Sequence, residues 1–314
     1  MRRVAPWLAI AAGVVLAVLP LAYSMFDRTE KAETILDRFT FLTDGDNPQR
    51  YLDEAVVIRE GSAQLSDEAL PSLAAHAGIP EDELLAESPH LERAQQALPA
   101  AREFSVRYSE QLRAVKGKFR AIYDIPTPAL PLTAVPYLLL AAGLLAIALG
   151  AAAILIGSRG LLWALLALGV AMALGPIALG GIGNASDAED VKDFAQNGLT
   201  TRASDAAQQA TSALSNLEAE TKTKTIPLIA RKSGETQSQV EARLEASYPE
   251  AATFLDAQNT AVRRLSVLAD AVSASVKEFD SAEKLPIAFP LWILIAAGLL
   301  LAGSAGLGLA RRWP

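Results

Sequence analysis

No cysteine occurs among the 314 residues, and histidine occurs only twice. Without cysteine no disulfide can hold any part of the fold, and a zinc site would have only His76, His90 and carboxylates to draw on. Charge is missing from long stretches: no Asp, Glu, Lys, Arg or His lies within 5–26, 130–157, 161–183 or 287–310. Alternating β-branched segments are lacking, which argues against sheet. Neither a G-x-S-x-G elbow nor a phosphate-cradling glycine loop occurs, and no serine has an evident base beside it. The expectation is therefore no enzyme, with no catalytic residue, cofactor or metal.

What is present is apolar. Residues of the AVILMFWYC set make up 51% of the chain, and the mean hydropathy is +0.25, above the ordinary soluble range. The four uncharged runs, Ala5–Phe26, Leu130–Gly157, Leu161–Gly183 and Ile287–Ala310, each supply the roughly 20 apolar residues that cross a bilayer core. Only Ser158, Arg159 and Gly160 separate the middle two, which predicts a tight hairpin of spans.

Charge orients the spans. All 35 acidic residues fall in two long segments, 27–129 and 184–286, whereas the short segments hold only Arg2, Arg3, Arg159, Arg311 and Arg312. Short, purely basic segments stay on the cytoplasmic side. Both termini and the 158–160 link are thus expected inside, and both long segments outside. Trp7, Trp163 and Trp313 near inner boundaries and Trp292 near an outer one agree. A rival reading makes the first run a cleaved signal peptide, with Ala22-Tyr23-Ser24 as its site. The run is long for a signal core, and it matches the third run, which cannot be one. The net charge of −7 and its acidic exterior argue against nucleic acid.

The chain repeats itself. At an offset of 156 residues Trp7, Gly13, Val14 and Pro20 meet Trp163, Gly169, Val170 and Pro176. The same offset pairs Ala32, Glu33, Ile35 and Asp37 with Ala188, Glu189, Val191 and Asp193, then Pro71, Ala74 and Gly78 with Pro227, Ala230 and Gly234. An insertion of four residues, about one helical turn, moves the offset to 160. There Leu84, Ala86, Pro89, Ala114, Phe119 and Pro126 meet Leu244, Ala246, Pro249, Ala274, Phe279 and Pro286. "AAGLL" at 141–145 recurs at 296–300. This predicts a tandem parallel duplication of span, outer domain and span, with its pseudo-two-fold axis along the membrane normal. The expected fold class is an all-α membrane protein with two extracytoplasmic helical domains, 27–129 and 184–286.

Each outer segment has helical periodicity. Phe104, Tyr108, Leu112, Val115, Phe119 and Ile122 mark one face, as do Val262, Leu265, Leu268, Val272, Val276 and Phe279. Pro89 and Pro249 are expected to start corresponding long helices. In the spans, Ala142, Ala146 and Gly150, and Gly298, Ala302, Gly306 and Ala310, set small residues at packing intervals. Thr133, Tyr137, Ser24 and Ser304 are the polar groups there, and Pro20 and Pro176 are expected to shape helix exits.

The remaining chemistry-bearing residues have ordinary readings. His76 and His90 align with Lys232 and Glu250 and suit surface or cap positions. Asp44 and Asp46 in "TDGDN" lack the rest of a calcium loop, which leaves a solvated turn. Glu81, Asp82 and Glu83 suit a helix N-terminus.

The phrase Pro-x-[Leu/Ile]-Ala-x-x-x-Gly followed by Leu-x-Ala-x-[Ser/Tyr]-Pro occupies Pro71–Pro89 and Pro227–Pro249. It resembles a repeated extracytoplasmic helical module of uncharacterised actinobacterial polytopic membrane proteins. The resemblance implies a helical fold at the plasma membrane, brings no activity with it and transfers no site residue. The function expected is a non-enzymatic membrane protein whose paired outer domains bind an envelope protein or lipid in a cleft between the two long helices, where acidic groups would disfavour anionic ligands unless Arg107, Arg113 or Lys118 lines it. The alternatives are a transport component with a pathway between the halves and an envelope sensor. A homo-oligomer fits any of them.

Overall fold

The computed structural model describes residues 4–123, 131–178, 180–285 and 288–310. Arg2, Arg3, Arg311, Arg312 and Trp313, the repeat partners Pro126 and Pro286, and the boundary positions Ala129, Leu130 and Ile287 lie outside the described residues. The described residues form fifteen α-helices, two π-helical turns and no strand. Four helices are long and apolar enough to cross a membrane: α1 (Val4–Ala22), α8 (Ala134–Ile156), α9 (Arg159–Ala178) and α15 (Ala288–Ala310). Their outward faces keep Trp7, Leu21, Leu144, Leu155, Trp163, Trp292, Leu299 and Leu307 exposed, an arrangement compatible with a lipid surround.

Local backbone geometry adjusts the expected boundaries. The first run ends early because Ser24, at φ 49°, turns the chain between α1 and α2 (Met25–Thr43). The third run stops at Ala178, ahead of Gly180 at φ 73°. Arg159, expected in the link, is instead the first residue of α9. Gly157, left-handed at φ 67°, caps α8 and leaves only Gly157 and Ser158 between the two helices. Pro20 and Pro176 sit in the last turns of α1 and α9.

The chain divides into two compact units. The first is 1–40, 117–193 and 277–314, and the second is 41–116 and 194–276. Segments expected to lie in two separate outer domains, 27–129 and 184–286, thus contribute together to one unit. Helical loops with only half an apolar face each can bury it by packing on each other.

In the first unit, α1 packs along α8 and α9 along α15, while α1 also meets α15 and α8 meets α9. Glycine makes the close pairs possible. A Cβ on Gly13 would lie 2.6 Å from the Gly143 carbonyl oxygen, and one on Gly143 would lie 2.6 Å from Ala17 N. Likewise a Cβ on Gly169 would lie 2.5 Å from Ala302 N, and one on Gly298 would lie 2.5 Å from Ala173 N. Leu16, Leu139, Ala146, Leu165, Met172, Leu301 and Ala305 fill the space among the four helices. Phe39 of α2 stacks on Phe119 of α7 (Lys118–Tyr123) with centroids 5.7 Å apart. The helix face expected to run from Phe104 to Ile122 is broken: Gly117, at φ 80°, separates α7 from α6 (Pro89–Ala114). Lys277 stands at the matching position, and α14 (Pro249–Ala282) continues through it.

The second unit is built from α3 (Asn47–Ala63), α4 (Leu70–His76), α5 (Glu81–Glu87), α6, α11 (Thr201–Glu220), α12 (Ile226–Ser233), α13 (Gln237–Ser247) and much of α14. The capping box of Thr236 and Gln239 starts α13, and Gly234 at φ 76° ends α12. Helix α6 packs on both α3 and α11. Leu91, Ala94, Leu98, Ala101, Phe104 and Tyr108 supply its buried face, and α11 answers with Ala207, Ala210, Ala213, Leu214 and Leu217. Alanine on α11 lets the helices approach closely. Gly61 does the same where α3 meets α14: its Cβ would overlap Phe254 and lie 2.6 Å from the Glu250 carbonyl oxygen.

Candidate functional site

A π-helical turn at Gln64–Ala69 joins α3 to α4, and another at Thr221–Thr225 joins α11 to α12. Each immediately precedes the Leu-Pro or Ile-Pro that opens the repeated phrase. Proline at the second helical position cannot donate its own amide, so the wider i→i+5 turn ahead of it relieves the backbone there. No residue type in the two turns advertised this, and periodicity alone could not separate a π turn from an α turn.

The first turn is locked by one side chain. From α6, Arg102 donates Nε to Ser62 Oγ at 2.9 Å, and one terminal nitrogen donates to the Ser62 carbonyl oxygen at 2.9 Å and Ser66 Oγ at 2.8 Å. Its other terminal nitrogen approaches Asp67 Oδ2 at 3.4 Å. Gln64 acts outward: its Oε1 accepts from the amides of Glu250 and Ala251, both at 2.9 Å, and so caps the start of α14. At the second turn Ser88, which precedes α6, shares a buried hydrogen bond of 3.2 Å with Thr225. Glu220 and Thr221 there are buried, and Glu220 Oε2 and Thr221 Oγ1 have no protein partner.

Beside Arg102 the surfaces of α3 and α6 form an open groove of about 320 Å³ lined by Arg59, Arg102, Glu103, Val106, Arg107 and Glu110. Arg59 pairs with Glu60 at 2.8 Å and Arg107 with Glu103 at 3.5 Å, while Arg102 is committed to the π turn. The groove thus offers charge of both signs with one apolar side chain. It lies between two helices of the 27–129 segment, whereas the expected cleft was between the two long helices. Of the three cations that would admit an anionic ligand to that cleft, Arg107 lines the α3–α6 groove, Arg113 is exposed elsewhere on α6, and Lys118 belongs to the first unit.

Other residues singled out by sequence take structural places. His76 and His90 are exposed, at the end of α4 and the start of α6. Asp44 accepts from the Gly45 amide at 3.0 Å, and Asp46 approaches Lys116 at 4.0 Å. Glu81, Asp82 and Glu83 form the first turn of α5, with Glu83 bridging to Lys232 at 2.6 Å. Ser304 donates to the Leu301 carbonyl oxygen within α15. Among the described residues no group of three or more His, Cys, Asp or Glu could hold a metal.

Burial raises the pKa of Tyr51, Tyr108 and Glu54 in the second unit, and none of the three lines the groove. The Tyr108 hydroxyl is buried within 3.5 Å of the Gly198 carbonyl oxygen, and desolvation pushes its pKa far up. Burial also raises the Glu54 carboxyl, against the opposing pull of Arg264 at 2.9 Å. No protein-family model matches the chain, and no curated protein or solved structure matches it either.

Proposed function

We propose that the chain is a non-enzymatic plasma-membrane protein, crossing four times with both termini inside, whose outer segments form one extracytoplasmic helical body that docks a polypeptide partner. The observation that carries this reading is the union of 41–116 and 194–276 in one compact unit with a mixed-charge groove on α3 and α6. The four apolar helices support the membrane location, and the purely basic short segments support the orientation.

On this reading the two halves descend from one duplicated unit. The matched glycine contacts, Gly13 with Gly143 and Gly169 with Gly298, favour it. So do the two π turns before Pro71 and Pro227 and the long helices that begin at Pro89 and Pro249.

The test is capture of the intact protein in mild detergent, with bound proteins and lipids identified, for the wild type and for Arg59→Glu/Arg107→Glu. Loss of a polypeptide from the variant supports the proposal. Identical captured polypeptides, or lipid alone, would remove the groove from recognition.

A further inference from the structure

Four polar contacts between the first half (1–157) and the second (158–314) run the same way in the first unit. Arg38 on α2 pairs with Glu278 on α14 at 3.3 Å. Lys118 on α7 pairs with Asp190 on α10 (Gly181–Gly198) at 2.5 Å. Two more cations of the first half reach neutral acceptors of the second: Arg28 the Lys284 carbonyl oxygen at 2.9 Å, and Lys31 the Ser281 hydroxyl at 3.2 Å. The first half brings positive charge to this contact and the second half brings acceptors.

In the second unit the sign reverses. Glu54 of the first half binds Arg264 of the second at 2.9 Å, and Glu83 binds Lys232 at 2.6 Å. Glu54 Oε2 is buried with no hydrogen-bond partner among the described residues, and Arg264 of the opposite half acts on this carboxylate more strongly than Arg50 of its own half.

We infer that these charges form a recognition code by which each half selects the other and rejects a copy of itself. The inference rests on reading the chain as two like halves. In the repeat register Lys118 occupies the place of Glu278. A first half meeting another first half in the same arrangement would set Arg38 against Lys118. Two second halves would set Asp190 against Glu278. Glu54 would meanwhile face Phe104 in place of Arg264, so this part-buried carboxylate would lose its directly bonded cation and keep only the more distant Arg50. A like-charge contact costs about as much as an opposite-charge contact contributes, so the discrimination exceeds the worth of the pairs alone. The partner that this surface fits is the complementary half, which the chain supplies to itself at high effective concentration. The device directs closure within one chain and disfavours exchange between neighbouring chains in the membrane.

The test uses the full chain in detergent at low ionic strength. Glu278→Lys/Asp190→Lys gives the second half the sign of the first and so imitates self-pairing. Adding Arg38→Glu/Lys118→Glu inverts both sides and restores opposition. The two-site variant is expected to unfold about 5 °C below wild type, with the loss shrinking in high salt. The four-site variant is expected to return to within about 2 °C. A two-site variant as stable as wild type overturns the inference, as does a four-site variant no better than the two-site one. None of these four residues lines the α3–α6 groove, so partner capture tests the binding proposal separately.

Discussion

Arg102 shows how much one side chain can hold. It is largely buried in its side chain and serves two hydroxyls, a carbonyl and a carboxylate at the π turn after α3. Removing it leaves the fully buried Ser62 hydroxyl with only its long, 3.5 Å donation to the Arg59 carbonyl oxygen. Arg102→Ala is expected to destabilise the second unit by about 2 kcal/mol, and Arg102→Lys to recover only part, because an ammonium cannot reproduce the planar fork. Hydrogen exchange of the α3 end and the π turn, together with denaturant unfolding, measures both.

Glu278 offers a pH-dependent counterpart. Burial alone would raise its carboxyl, but a backbone hydrogen bond and the hydrogen bond and charge of Arg38 outweigh burial and leave its pKa below the ordinary value. A carboxyl lowered on folding adds stability above its unfolded pKa, near 4.5, and loses it as pH falls through the lower folded value. Wild type should therefore lose this contribution on acidification below about pH 4.5. Glu278→Gln should flatten that part of the stability curve, as thermal unfolding between pH 3 and 7 would show. An equal acid dependence in the variant would place the effect on other groups.

Among the elements, the four long apolar helices meet through close backbone contacts, the means of association open to helices where lipid solvates leucine as well as a neighbouring helix does. Gly13 and Gly169 each face a backbone that a methyl group would overlap, whereas Gly175 on α9 has nothing within 4 Å of its Cβ position. Gly13→Ala and Gly169→Ala are expected to cost about 1–3 kcal/mol by forcing α1 from α8 or α9 from α15. Gly175→Ala should be neutral or slightly stabilising. Thermal unfolding in detergent compares the three. The sequence marked small residues at 142, 146 and 150, and Gly150 does meet the Pro6 carbonyl oxygen. It did not single out Gly143, because a lone glycine in an alanine-rich span looks like any other small residue until its neighbour is in place.

At the scale of the whole molecule, the proposal depends on topology. Reporter fusions after Arg28, Arg159, Asp187 and Arg312 are expected to read outside, inside, outside and inside. An outside signal at Arg159 would be incompatible with the four-pass arrangement and would move the groove's partner to another compartment. The same molecule joins 41–116 and 194–276 in one unit, and that association required long-range geometry. Each segment showed an apolar stripe every three or four residues, which foretells a helix that must pack but not against what.

The sequence alone determined the helices, because apolar runs of about 20 residues and stripes at 3.6-residue spacing are local properties. Proline starts at Pro89 and Pro249 were local as well. Tertiary structure decided which stripe meets which, where α6 stops at Gly117 while α14 runs on, and that Arg102 closes a π turn 36 residues away. Those outcomes depend on contacts between residues far apart in the chain, whose energies exist only after both surfaces are brought together. The groove belongs to that class, since no motif spans Arg59 and Arg107 and only the pairing of α3 with α6 brings them to one surface.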